Sequence, residues 1–492
     1  MTNKADEEIS EMKYENEQMN DLKINRWIVL VIYSIVASIG TFVHGGFSGW
    51  QPIIYKSGAF SELCKQGDVI ESFKVDENNI YETCGNRDAA VNNLFTISFF
   101  VHFFLSSISG YVLDTFGERV CFLWGQSILA LGFILLSIIK HSYAWYAFFV
   151  CLGISADLSF IPLLKISKYF NKKESLVFGI LGSARSTGFG IGLLLKIAFF
   201  YTFNFKTNDF YILCIFYLLT CSLFSFMVGL FIVPKKYNKV SKIGSEIATG
   251  SSHTDKKPKV DMINDIDKIE MGNKNNNNNL SNSNKDGLFE KIKLLWGHKK
   301  KWEYLITTFI CSSSMIKFDY FMKTNRSIFI WNNNDLTTIF SIATILSFIP
   351  TPLFGYLAGK FGSVYSIITN NTFGSLAYLL ILFDSVYCRM AAIFLFFLYI
   401  SFLFSCFYCY VDEKYSKEHF GKLCGIMFAV SALFLFLNFY LTYLTNVVYI
   451  NMGEKKYFPV AYGLNVLGAI ALLSCIYLKV SEIREKRASN EA

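Results

Sequence analysis

Charge is scarce in this chain. Of 492 residues only 17% are charged, against 53% hydrophobic, with 50 Phe. A soluble protein of this size carries more charge and fewer aromatics. Lipid, not water, is therefore the expected solvent for most of the chain, in keeping with a mean hydropathy of +0.36. Signatures of catalysis are missing as well. The apolar runs hold no HExxH, no G-x-S-x-G and no clustered His/Asp set, which leaves a membrane-embedded enzyme the weakest reading. The 12 cysteines form no zinc pattern: Cys406 and Cys409 make a C-x-x-C inside an apolar run, without the second pair that a closed metal site needs. No metal, cofactor or catalytic residue is expected. The first apolar run is expected to be a membrane helix and not a cleavable signal peptide, because about 25 polar residues precede it and it is long enough to span.

What fills the chain is apolar runs. A membrane helix needs about 20 mostly apolar residues. Twelve such runs are expected, at 27–49, 91–113, 118–139, 142–165, 175–200, 209–233, 303–322, 337–358, 364–384, 389–411, 421–447 and 458–479. The fold class is then an all-α membrane protein of two six-helix halves. Residues 1–26 read as a disordered cytoplasmic N-terminus, 27–233 as the N-terminal half, 303–479 as the C-terminal half and 480–492 as a cytoplasmic tail. Between the halves, 234–302 reads as a cytoplasmic linker. It contains "NKNNNNNLSNSNK", a tract with no apolar surface to bury.

Net charge is +8, and its placement gives orientation. "KYFNKK" at 168–173, the linker and "REKR" at 484–487 fall on one side if the N-terminus is inside, whereas the loop 51–90 is rich in Asp and Glu. That predicts cytoplasmic termini. The basic residues flank spans, which argues against a nucleic-acid surface. Cys64 and Cys84 fall in the loop placed outside the cytoplasm, where disulfides persist, and a bridge between them is expected.

The halves echo each other. Gly110, Tyr111, Phe116 and Gly117 match Gly355, Tyr356, Phe361 and Gly362 at an offset of 245, and Phe178-Gly179 matches Phe420-Gly421 at an offset of 242. Such parallel repeats are the organisation of major facilitator carriers, whose substrate site lies between the halves. The stretch "GYVLDTFGERV" at 110–120 resembles that superfamily's signature loop between spans 2 and 3. The resemblance implies a conformational latch. Gly110 would allow close helix approach and Gly117 a tight reversal. Asp114 and Arg119 would pair with each other or with neighbouring helix ends, holding one of two packings. Glu118 stands where the family usually has a basic residue. The second copy has Gly359 and Val364 in place of Asp114 and Arg119, so the first latch is expected to dominate.

A narrower resemblance lies in "HGGFSGWQPIIYKSGAFSELC" at 44–64 and "HFGKLCG" at 419–425. Gly-Trp at the end of span 1 followed by G-x-F-x-x-L-C is similar to the apicomplexan amino acid transporter family and to the vertebrate L-type facilitative carriers of the same superfamily. The resemblance covers the twelve-span body and implies an amino acid as the small-molecule partner, carried by a monomer across the plasma membrane.

Ionisable residues inside spans are costly and functional by default. Asp157 in span 4 and Arg185 in span 5 fall at about 12 and 15 Å from the inner helix ends at 1.5 Å per residue. They are expected to pair with each other or with cargo. Span 7 carries Lys317 and Asp319 on different faces. Asp319 is a candidate for the cargo site, and Lys317 is expected to snorkel. Lys323, Arg326 and Asp335 are assigned to a solvated outer loop, and His44 to packing. Gly45 and Gly46 are expected to loosen span 1 and expose backbone groups to substrate.

Span 1 contains no Asp or Glu, so facilitated transport is expected over proton coupling. An unpaired buried carboxylate is costly; a second acid in the spans therefore favours arginine and lysine as cargo. Neutral amino acids, another small polar metabolite, and a non-transporting sensor on the same fold stay open.

Overall fold

The computed structural model describes residues 24–75, 79–139, 141–170, 174–203, 209–235, 301–331, 334–415 and 420–491. Most of the expected N-terminal segment and linker lie outside these residues. One compact unit comprises Met1–Tyr237 and Ile306–Ala492. Of the second unit, Asn238–Leu305, residues 301–305 are described, as the first turn of a helix.

The first path is a broken helix. α1 (Arg26–Gly40) starts at an Asn25 cap, whose side chain accepts from the Trp27 amide. A 3-10 turn, Val43–Gly46, leads into α2 (Phe47–Lys56), and the two parts are bent by 47°. Span 1 is expected over 27–49 with a loosening at Gly45 and Gly46, and the 3-10 turn lies there. The span runs seven residues further, with Pro52 inside. A hairpin follows: β1 (Ile70–Lys74) pairs antiparallel with β2 (Ile80–Cys84), Ile70 opposite Cys84.

The remaining N-terminal helices are α3 (Gly85–Phe116), α4 (Glu118–Ile138), α5 (Tyr143–Leu164), α6 (Glu174–Ser186) with α7 (Phe189–Ile197), and α8 (Phe210–Tyr217) with α9 (Leu223–Phe231). The second half opens with α10 (Lys301–Phe329) and a short β3–β4 pair (Ile330–Trp331 with Asn334–Asp335). Then come α11 (Thr337–Leu346) and α12 (Thr351–Phe361), bent by 56°, and α13 (Ser363–Leu380). α14 (Val386–Phe402) with α15 (Ser405–Lys414), α16 (Phe420–Leu433) with α17 (Phe436–Tyr443), and α18 (Phe458–Glu491) complete it.

Among the described residues eight helices are long and apolar enough to cross a membrane, or ten if each bent pair counts as one. α10 and α13 occupy the expected seventh and ninth places. They are more polar, carrying Lys317, Asp319 and Lys323 in one and Asn370 and Asn371 in the other. α18 continues through the residues expected as a tail.

Outward faces are apolar where lipid is the solvent: Phe216, Leu219 and Phe231 stay exposed on α8, α9 and the turn between them. Inside, aromatic rings fill the layers. Trp50 packs on Phe148 and Phe149 and donates to the Val43 carbonyl at 3.1 Å. Phe99 and Phe103 of α3 meet Phe318 and Phe404 across the two halves.

Candidate functional site

Three ionisable side chains from three helices of the first half converge. Arg185 (α6) donates from Nη2 to Asp157 Oδ1 (α5) at 2.7 Å. His102 (α3) brings Nε2 to 3.0 Å from the same oxygen and 2.7 Å from Arg185 Nη2. Burying a carboxylate requires such partners, and a charge-assisted bond to guanidinium is among the strongest available. Arg185 keeps 17% of its side chain exposed, against 6% for Asp157. Its guanidinium lies on Phe160 and Phe42, 4.3 and 5.2 Å from the ring centroids. His44 completes the group, its ring 5.2 Å from His102 and 4.5 Å from Phe42.

This cluster concentrates unsatisfied groups. Both ring nitrogens of His44, Nδ1 of His102 and Nε of Arg185 are buried without a hydrogen-bond partner. A buried polar atom left unpaired costs about 1–3 kcal/mol, so four together mark a place where a ligand or water belongs.

A second cluster lies about 9 Å away along α3, from His102 to Thr96 at 1.5 Å per residue. Lys323 sits 3.1 Å from Asp319 one turn earlier on α10, and both side chains are fully buried. Thr96 donates to Asp319 at 2.9 Å and Asn438 Nδ2 donates to the same carboxylate at 2.7 Å, while Lys323 donates to Thr96 at 2.7 Å. Gln51 of α2 donates to the Lys323 carbonyl at 3.0 Å and to Asn92 at 2.8 Å.

This corrects two expectations, for Lys323 and for Lys317. Lys323 is not a loop residue, because α10 runs to Phe329 and the lysine is satisfied inside the protein. Asp319 has Lys323 as counter-ion at Oδ2 in this structure and lies apart from the Asp157 cluster, while its Oδ1 is buried without a partner. Lys317 does not snorkel: fully buried, it donates to Asn371 at 2.6 Å and Ser375 at 3.3 Å, on the face away from Asp319.

Gly45 and Gly46 sit in the break of the first path, but their backbone is enclosed. A Cβ on Gly46 would come within 2.5 Å of the Phe189 carbonyl oxygen, and one on Gly49 within 2.1 Å of the Gly192 carbonyl carbon. Around Gly45 the rings of Phe42 and Phe189 close to 2.7 Å. These glycines permit a close crossing of the first path with α7. The expectation of free backbone groups is corrected accordingly.

Outside the spans, a disulfide joins Cys64 to Cys84. The hairpin it closes reaches the second half: Arg326 donates to the Lys74 carbonyl at 2.9 Å and Lys456 pairs with Glu71 at 2.6 Å. Arg326 is therefore not a solvated loop residue either, whereas Asp335 is exposed and accepts from the Thr337 amide at 2.9 Å.

Residues 77–439, most of the chain, match the family model described as Major Facilitator Superfamily. The chain belongs to the major facilitator superfamily. Among curated relatives it is similar to "Arginine transporter 1" of Toxoplasma gondii, 27% identical over 96% of this chain and 90% of that one. It is also similar to "Cationic amino acid transporter 8" of Plasmodium berghei, 26% identical over 83% and 81%. A third relative is "Aromatic and large neutral amino acid transporter 5-3" of Toxoplasma gondii, 26% identical over 83% and 76%. A mutant of the nucleoside transporter NupG shares the fold, with a TM-score of 0.58 at 9% identity over 91% of this chain and 99% of that one. These are transporters, not enzymes.

In this major facilitator protein the signature loop turns at Gly117, whose φ of 86° suits glycine; Gly362, with φ 95°, makes the matching turn in the second half. Arg119 donates to the Val233 carbonyl at 2.7 Å, just past the end of α9. The Asp114 side chain lies outside the described part of the structure. A Cβ on Gly110 would meet nothing within 4 Å, so it does not support the expected close helix approach here; one on its counterpart Gly355 would meet open space as well. The second half is not without charges at this level. Glu413 of α15 accepts from the Ser363 amide at 2.9 Å, and Lys414 lies 3.6 Å from Glu482.

His102, Thr96 and Asn438 are absent from the sequence-based assignment. His102 stands inside "FFVHFFL" and meets the same criterion, an ionisable residue in an apolar run, that selected Asp157. The others are common polar residues with no such signal.

Proposed function

We propose that this chain carries amino acids across the plasma membrane by alternating access, down the substrate gradient, with arginine and lysine the first cargo. The observation behind this is the cluster of His44, His102, Asp157 and Arg185, with four unpaired buried polar atoms beside a partly exposed guanidinium. Arg185 spends Nη2 on Asp157 and His102 and keeps Nε to donate a charge-assisted hydrogen bond to a cargo carboxylate. Asp157 supplies negative charge next to it. The names of two relatives, an arginine and a cationic amino acid transporter, favour cationic cargo.

Facilitated movement is favoured by the absence of Asp and Glu from 27–49, and a cation would also be drawn by membrane potential. Cytoplasmic termini are favoured by the placement of Lys and Arg. Hydrogen bonds between the halves at Gln51–Lys323, Lys74–Arg326 and Glu71–Lys456 lie toward the disulfide side. The halves also meet toward the termini, where a Cβ on Gly425 would come within 3.2 Å of Ser107. Closing that side is assigned to the latch of Gly110, Asp114, Gly117 and Arg119 with Gly355 and Gly362.

Neutral amino acids are the second reading. The buried Lys323–Asp319 pair favours it, since Asp319 has no charge to spare for a cargo cation, and one relative is named for neutral substrates. Uptake of labelled arginine, lysine and leucine by wild type and Asp157→Asn separates the two. Arginine uptake that falls in the variant while leucine uptake does not supports cationic cargo. Leucine alone being carried, or the variant taking up arginine as well as wild type, rejects it.

A further inference from the structure

We propose that His44 is the residue that receives the cargo's α-ammonium. This rests on the amino acid reading above and assigns a residue that the charged cluster by itself leaves unused. His44 stands in the 3-10 turn that interrupts the first path, Val43–Gly46. Broken helices are where carriers of this general kind meet small polar cargo. Its ring is fully buried, and neither nitrogen has a hydrogen-bond partner.

Packing alone does not require an imidazole there. Its ring neighbours include Phe42 at 4.5 Å and His102 at 5.2 Å, a site that a purely apolar side chain would fill without stranding two polar atoms. His44 and Arg185 both lie against the Phe42 ring. An α-amino acid carries its ammonium and carboxylate on one carbon, so two recognition groups sharing one aromatic neighbour fit that head group. Arg185 takes the carboxylate. The unprotonated nitrogen of His44 accepts from the ammonium, and Asp157 balances its charge.

The test compares cargo with and without the ammonium. Inhibition of labelled arginine uptake is measured with unlabelled arginine and with its 2-hydroxy analogue, and of leucine uptake with leucine and 2-hydroxy-4-methylpentanoate. Each ratio of potencies is independent of expression level. Wild type should prefer the amino form by at least about tenfold, the discrimination that a hydrogen bond to a charged group supplies. His44→Leu should compress the ratio to below about threefold, and His44→Gln, which keeps an acceptor, should restore most of it. If His44→Leu does not reach the surface, His44→Phe replaces it. An unchanged ratio in a surface-expressed variant overturns the proposal while leaving amino acid transport intact. Wild type that carries neither arginine nor leucine overturns the underlying reading as well.

Discussion

Arg326 of α10 holds its guanidinium carbon 3.5 Å from the centroid of the Phe73 ring in β1. The two residues come from opposite halves, and Phe73 is in turn stacked on Tyr55 at 3.9 Å. With the Lys456–Glu71 pair, the contact makes the hairpin a strap across the disulfide side. Alternating access requires that it release. Phe73→Ala should therefore favour opening there. A single cysteine at Ser48, which pairs with Ser341 across the halves at 3.0 Å, should react about two- to thirtyfold faster with an impermeant thiol reagent, the worth of a cation–π contact between the exposed and desolvated limits. An unchanged rate would leave the strap without a gating role.

The disulfide holds that strap to its own half. Cys64 and Cys84 are 20 residues apart, and closing a loop of that size is worth about 3 kcal/mol in the chain-entropy model. Cys64→Ser, Cys84→Ser and the double variant should lower the melting temperature of solubilised protein equally. Both thiols found free by non-reducing peptide mapping of wild type would reject the bridge.

Lys323 and Asp319 are buried together, and each needs the other. Lys323→Met strands the carboxylate and should cost about 3–5 kcal/mol, the usual penalty for breaking a buried pair. Lys323→Met with Asp319→Asn should recover most of the loss in thermal stability. A double variant as unstable as the single one would mean that the pair is not the governing interaction.

The glycines give opposite expectations at two sites. Gly49→Ala forces α2 away from α7 and should destabilise by about 1–3 kcal/mol, as overpacking does. Gly110→Ala meets open space and should be neutral or stabilising, since alanine is favoured over glycine in a helix by ~1 kcal/mol. Thermal unfolding of the two variants side by side checks this. An Ala at Gly110 that blocks transport without loss of stability would point to contacts made in another state.

Orientation is tested directly by an epitope placed in the 235–302 segment. It should stain only after permeabilisation, because Lys and Arg concentrate there and near the termini. Staining of intact cells would invert the topology.

The sequence by itself determined the lipid environment, the all-α class, the two echoing halves and the family. These follow from apolar run length, charge placement and local turn residues, all short-range properties of the chain. It also found Asp157 and Arg185, because an ionisable group within an apolar run is visible without a partner. Only the tertiary structure decided what each charge does. Asp319 looks like an acid without a counter-ion until α10 proves long enough to bring Lys323 one turn away, and Thr96, 223 residues distant in sequence, closes the pair. Gly46 looks like an open backbone until α7 is found against it. His44 looks like packing until both its nitrogens prove stranded beside His102. The physical reason is shared: the cost of a buried charge, the room beside a glycine and the satisfaction of an imidazole are set by neighbouring helices, and local sequence carries no record of which helices those are.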